Sequence, residues 1–158
     1  MDKQEIVRGT IKQVEKFFSD QDWNYDFEED RNLFRTGVNL NSKMKSTKIF
    51  ISVGESGVTV TSVVPMNADE ACRTQVMEFI TRANYGLRNG NFELDLSDGE
   101  IRYKVFHSNV DGVASSDLIK HSIFLSCSML DRYGDDLLAV MFGMKDPKTA
   151  VEEAEAKD

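Results

Sequence analysis

The chain has 158 residues, of which 41% are hydrophobic and 29% are charged, and its formal net charge is −8. These values are typical of one globular domain with its own core. The negative charge disfavours binding to nucleic acid or to anionic membranes. No apolar run approaches the length of a membrane span, and the polar residues after Met1 argue against a signal peptide. We therefore expect a cytoplasmic protein in which Cys72 and Cys127 are reduced and buried, although the cysteine count also permits a disulfide.

The first part of the chain predicts a helix followed by a hairpin. Residues 3–20 carry apolar side chains at helical spacing. Residues 23–28 then alternate between aromatic and polar side chains, as a strand does. A turn at residues 31–32 would place Phe27 opposite Thr36.

A second hairpin is predicted around the glycine-containing turn at residues 54–57. Ile49, Ile51 and Val53 occupy alternate positions before this turn, and closure there places Val53 opposite Val58. Four strands thus precede the next helix, and connections this short predict a largely antiparallel sheet.

Pro65 ends the fourth strand, and a helix over about residues 69–85 is predicted to follow. Asn67 and Glu70 have the spacing of a capping box at its start. Gly86 is a typical helix stop, because glycine readily adopts the left-handed conformation that ends many helices.

An alternating pattern then predicts a third hairpin. Asp98-Gly99 is a dipeptide that favours a two-residue type I′ turn. Closure at that turn would place Leu94 opposite Tyr103 and Glu93 opposite Lys104.

The last long helix is capped by Ser115 or Ser116 and is apolar over much of its circumference. Either the helix is buried on two sides, which is the commoner arrangement, or a partner covers part of it. The residues that we expect at such an interface lie outside the main stripe: Leu118, Phe124, Leu125 and Met129. For the adjacent carboxylates Asp135-Asp136, a helix restart after Gly134 is a better explanation than acid–base catalysis.

The sequence contains no recognisable catalytic, cofactor-binding or metal-binding pattern. Residues 20–26 resemble the start of a calcium loop, but Tyr25 stands where glycine is needed, and Arg31 stands where a bidentate glutamate belongs. His107 and His121 lack the cysteine or acidic neighbours that would suggest a metal site. We therefore predict no metal, no cofactor and no enzymatic activity.

The central residues resemble proteins of the YbjN-domain family, which is also labelled as a bacterial sensory-transduction regulator. The resemblance is carried by residues 76–80, 82–87, 90–95 and 98–103. It extends from the first helix to Gly143 and the Asp146-Pro147 segment. The resemblance implies an α+β domain in which helices pack on an antiparallel sheet of successive hairpins, similar to type III secretion chaperones, and it implies no catalytic residues.

Together these observations predict one domain over residues 1–143 and an acidic segment, a short helix or a tail, over residues 144–158. The expected function is regulatory binding of a protein partner, by sheet-edge addition or in an apolar groove, with a homodimer as the implied assembly. The alternative is a small-ligand sensor with a pocket between the sheet and the helices.

Overall fold

The computed structural model describes residues 1–157, which fold into four α-helices and six strands. The helices are α1 (Lys3–Gln21), α2 (Arg73–Asn84), α3 (Ser116–Met141) and α4 (Pro147–Glu155). The strands are β1 (Asp26–Glu28), β2 (Leu33–Asn39), β3 (Ser46–Val53), β4 (Gly57–Val63), β5 (Asn91–Leu94) and β6 (Ile101–Ser108). Within residues 1–157, the helices lack the length of apolar sequence that crossing a membrane would require.

All six strands belong to one sheet in the order β1-β2-β3-β4-β6-β5, and each neighbouring pair is antiparallel. Along β3, β4 and β6, buried side chains largely alternate with side chains that are half-buried or exposed. One face of the sheet therefore packs against the helices, while the other face is uncovered. The predicted α+β fold class is confirmed.

Two hydrophobic clusters fill the space between the sheet and the helices. The first joins α1 and the first half of α3 to β2, β3 and β4, with Phe17, Phe34 and Ile123 at its centre. The second joins α2, α4 and the second half of α3 to β5 and β6, with Phe79 and Phe92 fully buried. Burying each such side chain stabilises the fold by about 1.5–3 kcal/mol. The apolar stripes of all four helices thus form part of the core.

The hairpin of β3 and β4 has the predicted register, with Val53 opposite Val58. The other two hairpins are each shifted by two residues. Phe27 lies opposite Phe34 rather than Thr36, and Leu94 lies opposite Ile101 rather than Tyr103.

A four-residue connection replaces the predicted two-residue turn in both shifted hairpins. The first connection spans residues 29–32 and the second spans residues 96–99. Each ends on a residue in the left-handed conformation, Asn32 at φ 48° and Gly99 at φ 81°. Four-residue hairpin loops are commonly built around a type I turn, which this arrangement matches. A shift of two residues leaves every side chain on its predicted face.

The predicted capping box at the start of α2 is wrong. The helix begins at Arg73, because the segment before it is bound to the loop between β5 and β6. Ala68 donates its N–H to the Gly99 carbonyl at 2.8 Å. Asn67, the predicted cap, instead donates its side-chain amide to the Asp98 carbonyl at 3.2 Å. A chain held to a neighbouring loop in this way cannot continue the helix upstream.

The predicted restart of the last helix after Gly134 is also wrong, because α3 is continuous. Ser115 is its N-cap, as predicted. Gly134 allows the loop between β2 and β3 to approach, since a Cβ there would lie only 3.1 Å from Met44 Sδ. Asp135 accepts the Lys43 N–H at 2.7 Å, so its carboxylate helps to hold that loop.

A buried ion-pair network fastens α4 to α3. Asp136 is only 2% exposed and accepts hydrogen bonds at 2.7 Å from Lys145 and from Lys157, which lie at the two ends of α4. Burial alone would raise the pKa of Asp136, but these hydrogen bonds outweigh it and hold the pKa below its ordinary value. Ala150 and Ala154 of α4 are fully buried, so this helix shares the core of the other three.

Candidate functional site

The four residues predicted for a partner interface do not lie on one surface of α3. At about 100° per residue, Leu118, Leu125 and Met129 follow one flank of the helix, and each is half-buried against the core. Phe124 lies on the opposite flank, 42% exposed, with its ring edge-to-face to Trp23 at 6.0 Å. The interface stays a prediction, and the geometry divides it into two parts.

Asp20 and His107, two of the titratable groups that the sequence singled out, have structural partners. Asp20 binds Lys16 at 2.5 Å, as an ordinary helix ion pair. His107 Nε2 lies 2.8 Å from the buried Ser122 hydroxyl, and burial together with nearby His121 lowers the pKa of His107. Within residues 1–157, no three His, Cys, Asp or Glu side chains are grouped so that they could hold a metal ion.

A methionine–phenylalanine patch is an accessible apolar surface that borders two grooves. We define the Met–Phe patch as Met66, Leu138, Phe142 and Met144. Phe142 is 63% exposed, and Met144 is 78% exposed. All four residues line a groove of about 660 Å³, and Phe142 and Met144 also border a second groove of about 590 Å³. Exposed apolar surface of this kind often marks a protein-binding site.

The end of α3 explains why these side chains point outward. Gly143 has φ 70° and donates its N–H to the Val140 carbonyl at 3.0 Å, while Met144 donates to the Ala139 carbonyl at 2.8 Å. These two bonds form a Schellman motif, which reverses the chain within two residues. This patch was not predicted from the sequence, although Gly143 directly after an apolar helical run was a signal for it.

The uncovered sheet face carries charged pairs. Glu93 accepts hydrogen bonds from Arg102 at 2.9 Å and from Lys104 at 2.8 Å. Burial tends to raise the pKa of Glu93, but the hydrogen bonds from Lys104 and Arg102 lower it overall. Glu93 therefore contacts Lys104 as predicted, but across a diagonal, because the shifted register places Arg102 directly opposite Glu93.

One edge of the sheet is protected. Asn84, the last residue of α2, accepts the Phe92 N–H at 2.8 Å and donates to the Phe92 carbonyl at 2.9 Å. Its side-chain amide thus makes the two bonds that an added strand would make at that residue of β5. Sheet-edge addition is therefore disfavoured on this side of the molecule.

Comparison with known proteins identifies a family for this chain. The family model YbjN, described as "Putative bacterial sensory transduction regulator", matches residues 10–139. A search of curated proteins finds no match.

A solved structure has a similar fold. It is described as "Crystal structure of YbjN, a putative transcription regulator from E. coli", and it matches with a TM-score of 0.56 and 8% sequence identity. The match covers 75% of this chain and 83% of that chain. At this identity the likeness concerns the fold alone, and it agrees with the α+β architecture described above. Since the family model spans more than half of the sequence, the chain belongs to the YbjN family, as the central residues indicated.

Proposed function

We propose that this chain is a non-enzymatic, cytoplasmic regulatory protein that binds a segment of a partner protein, in a manner similar to a chaperone. The observation that carries the proposal is the Met–Phe patch with its two adjoining grooves. Methionine side chains are flexible and polarisable, so a surface rich in them can adapt to different apolar segments. The family description as a regulator supports a binding role rather than catalysis.

Capture from bacterial lysate, with the immobilised chain as bait, tests this proposal. The double variant Phe142→Ser with Met144→Ser should lose the partners that the wild-type chain retains, because the apolar contact is removed. Tyr85→Ser is the matched control, since Tyr85 is 90% exposed and does not line either groove. Partners that remain bound to the double variant would show that the patch is not the binding site.

We also propose a homodimer that uses the exposed parts of α3, namely Phe124 on one flank and Leu118, Leu125 and Met129 on the other. The wide apolar circumference of α3 supports this proposal. Size-exclusion chromatography with light scattering should give twice the monomer mass, and Phe124→Glu should shift the protein toward the monomer. A wild-type chain that remains monomeric at high concentration would contradict it.

The alternative of a small-ligand sensor has less support. It requires a pocket between the sheet and the helices, whereas the five grooves described for residues 1–157 all lie on the outside of the molecule. A thermal-shift screen against metabolites would test it, because a ligand that binds the folded state raises its stability.

A further inference from the structure

Asn89-Gly90 lies in the connection between α2 and β5, and it is the only asparagine–glycine pair in the sequence. Asparagine is a thermolabile residue. Its side-chain Cγ can be attacked by the main-chain nitrogen of the next residue, and a glycine at that position puts no side chain in the way of the attack. Among the asparagines of this chain, Asn89 therefore has the sequence context that most favours spontaneous deamidation.

The structure leaves both reacting groups of this pair free. Within residues 1–157, the Gly90 N–H has no backbone or side-chain acceptor, and the Asn89 side-chain amide makes no hydrogen bond. Both residues are half-buried, so water can reach them. The Asn89 main-chain carbonyl accepts a hydrogen bond, but this bond holds neither the attacking nitrogen nor the carbon that it attacks.

The two aspartate–glycine pairs, which can undergo a similar ring closure, are held by hydrogen bonds. In Asp98-Gly99, the glycine is buried and donates its N–H to the Asp95 carbonyl at 2.8 Å. In Asp111-Gly112, the glycine donates its N–H to the Asn109 carbonyl at 2.9 Å. A nitrogen bound in this way must first give up its hydrogen bond before it can attack. The fold therefore protects both aspartate–glycine pairs and leaves Asn89-Gly90 open to reaction.

We propose that Asn89 is a site of spontaneous deamidation in the folded protein, with isoaspartate as one of its products. The Gly90 nitrogen gives its proton to hydroxide and forms a bond to Asn89 Cγ. The bond from Cγ to Nδ2 breaks, and the amide nitrogen takes a proton from water and leaves as ammonia. Water then opens the succinimide ring: opening at Cγ gives aspartate, and opening at the main-chain carbon gives isoaspartate. One water is consumed and one ammonia is released, and either product adds one negative charge to the chain.

Isoaspartate changes the backbone where it packs tightly against Tyr103. The Asn89 carbonyl accepts the hydroxyl of the fully buried Tyr103 at 2.5 Å. A Cβ on Gly90 would lie 2.5 Å from Tyr103 Cε1, so there is no spare room at this point. Isoaspartate inserts a methylene group into the main chain between these two contacts, and the carbonyl that Tyr103 binds becomes a carboxylate outside the main chain. We therefore expect the isoaspartate form to be less stable than Asn89→Asp, which keeps an ordinary backbone.

Incubation of the full chain at mildly alkaline pH, followed by peptide mapping with mass spectrometry, tests the proposal. A parallel incubation in guanidinium chloride gives the rate at each site in the unfolded chain. We expect folding to slow ring closure at Asp98 and Asp111 at least about tenfold more than at Asn89, because only the first two sites must lose a hydrogen bond. An isoaspartate-specific carboxyl methyltransferase, with S-adenosylmethionine as the methyl donor, gives an independent count of the isoaspartate.

Two glutamine variants assign the reaction to its residue. Asn89→Gln should prevent the acidic species that isoelectric focusing detects in the incubated wild-type chain, because the glutamine amide carbon would have to close a larger ring. Asn91→Gln is the matched control in the same segment and should leave these species unchanged, since Asn91 precedes a phenylalanine. The purified isoaspartate form should unfold at a lower urea concentration than Asn89→Asp, which carries the same added charge.

Three results would overturn the proposal. They are an absence of isoaspartate at residue 89 in the incubated folded chain, equal protection of Asn89, Asp98 and Asp111 by folding, or acidic species that form in Asn89→Gln at the wild-type rate. Equal urea midpoints for the isoaspartate form and Asn89→Asp would refute the packing against Tyr103. The site does not depend on the Met–Phe patch, so Phe142→Ser with Met144→Ser should deamidate at the wild-type rate. Failure of the proposed function and failure of this inference are therefore distinguishable.

Discussion

Replacing Gly99 by alanine tests how the loop between β5 and β6 is held to the chain before α2. Gly99 has φ 81°, and a Cβ there would lie 1.8 Å from the Ala68 carbonyl oxygen. The left-handed conformation costs an alanine about 1–2 kcal/mol. The overlap also forces the two segments apart and breaks the bond from Ala68 N–H to the Gly99 carbonyl, which adds about 1–3 kcal/mol. We expect a total loss of about 2–5 kcal/mol, and a larger loss for Gly99→Val.

Gly86→Ala is the matched control, because Gly86 also has a positive φ, 96°, but a Cβ there would meet no atom within 4 Å. It should lose only the conformational part, about 1–2 kcal/mol. Urea unfolding followed by circular dichroism gives the free energies of unfolding, provided that the m-values agree. If Gly99→Ala and Gly86→Ala lost the same stability, the close contact with Ala68 would be refuted and only the backbone strain would remain.

Three further predictions concern the core, the buried carboxylate and the thiols. Phe79→Ala should lose about 3–5 kcal/mol in urea unfolding because its side chain is fully buried, whereas Met77→Ala, 45% exposed, should lose less than about 0.5 kcal/mol. Asp136→Asn should lower the free energy of unfolding by about 2–3 kcal/mol at pH 7, a value reduced because both lysines are partly exposed. The control Asp135→Asn should lower it by less. Because the pKa of Asp136 is lowered in the folded state, the wild-type chain loses this stability as the pH falls below the ordinary pKa of an aspartate, about 3.9, and a stability–pH curve of the asparagine variant should lack that loss. Burial raises the pKa of Cys127 to about 11, so only about one thiolate in a thousand exists at pH 8, and Ellman's reagent should react quickly only after unfolding.

Each of these expectations has a result that would contradict it. Equal losses for Phe79→Ala and Met77→Ala would show that the stripe of α2 is not core. If the wild-type chain and Asp136→Asn had the same dependence of stability on pH, Asp136 would not be paired with Lys145 and Lys157 in the folded state. Rapid reaction of both thiols in the native state would show that Cys127 is accessible.

The faces of the elements could be predicted from the sequence, but the registers of two hairpins could not. Alternation determines which side chains are inside, and Phe92 and Tyr103 do pack edge-to-face at 4.9 Å. The register of a hairpin depends on the length of its loop. Asp98-Gly99 predicted a two-residue turn, but the loop has four residues, and in it Asp95 accepts the Ser97 N–H at 2.8 Å. Side-chain bonding of this kind competes with the simple turn and cannot be read from a dipeptide.

Close approaches between distant segments were invisible in the sequence. Gly9 lies within the helical pattern of residues 3–20, and nothing in that pattern shows that a Cβ at this position would lie 2.6 Å from a Val113 methyl carbon. The Asn67 cap failed for the same reason, because its partner, the Asp98 carbonyl, comes from another part of the chain. The same holds for the candidate surface: hydropathy indicated α3 as a whole, but only the fold shows that Phe142 is accessible.

The two hydrogen bonds from the Asn84 side-chain amide to the backbone of β5 affect whether copies of this chain can assemble into a fibril. Growth of a fibril by strand pairing requires two free sheet edges in every molecule, because each molecule must pair with a neighbour at both edges. At the β5 edge of this sheet, the Asn84 side chain already occupies the backbone groups of Phe92. Two copies of this chain that paired through β2 would therefore meet a hindered edge at β5, which disfavours further growth of the assembly.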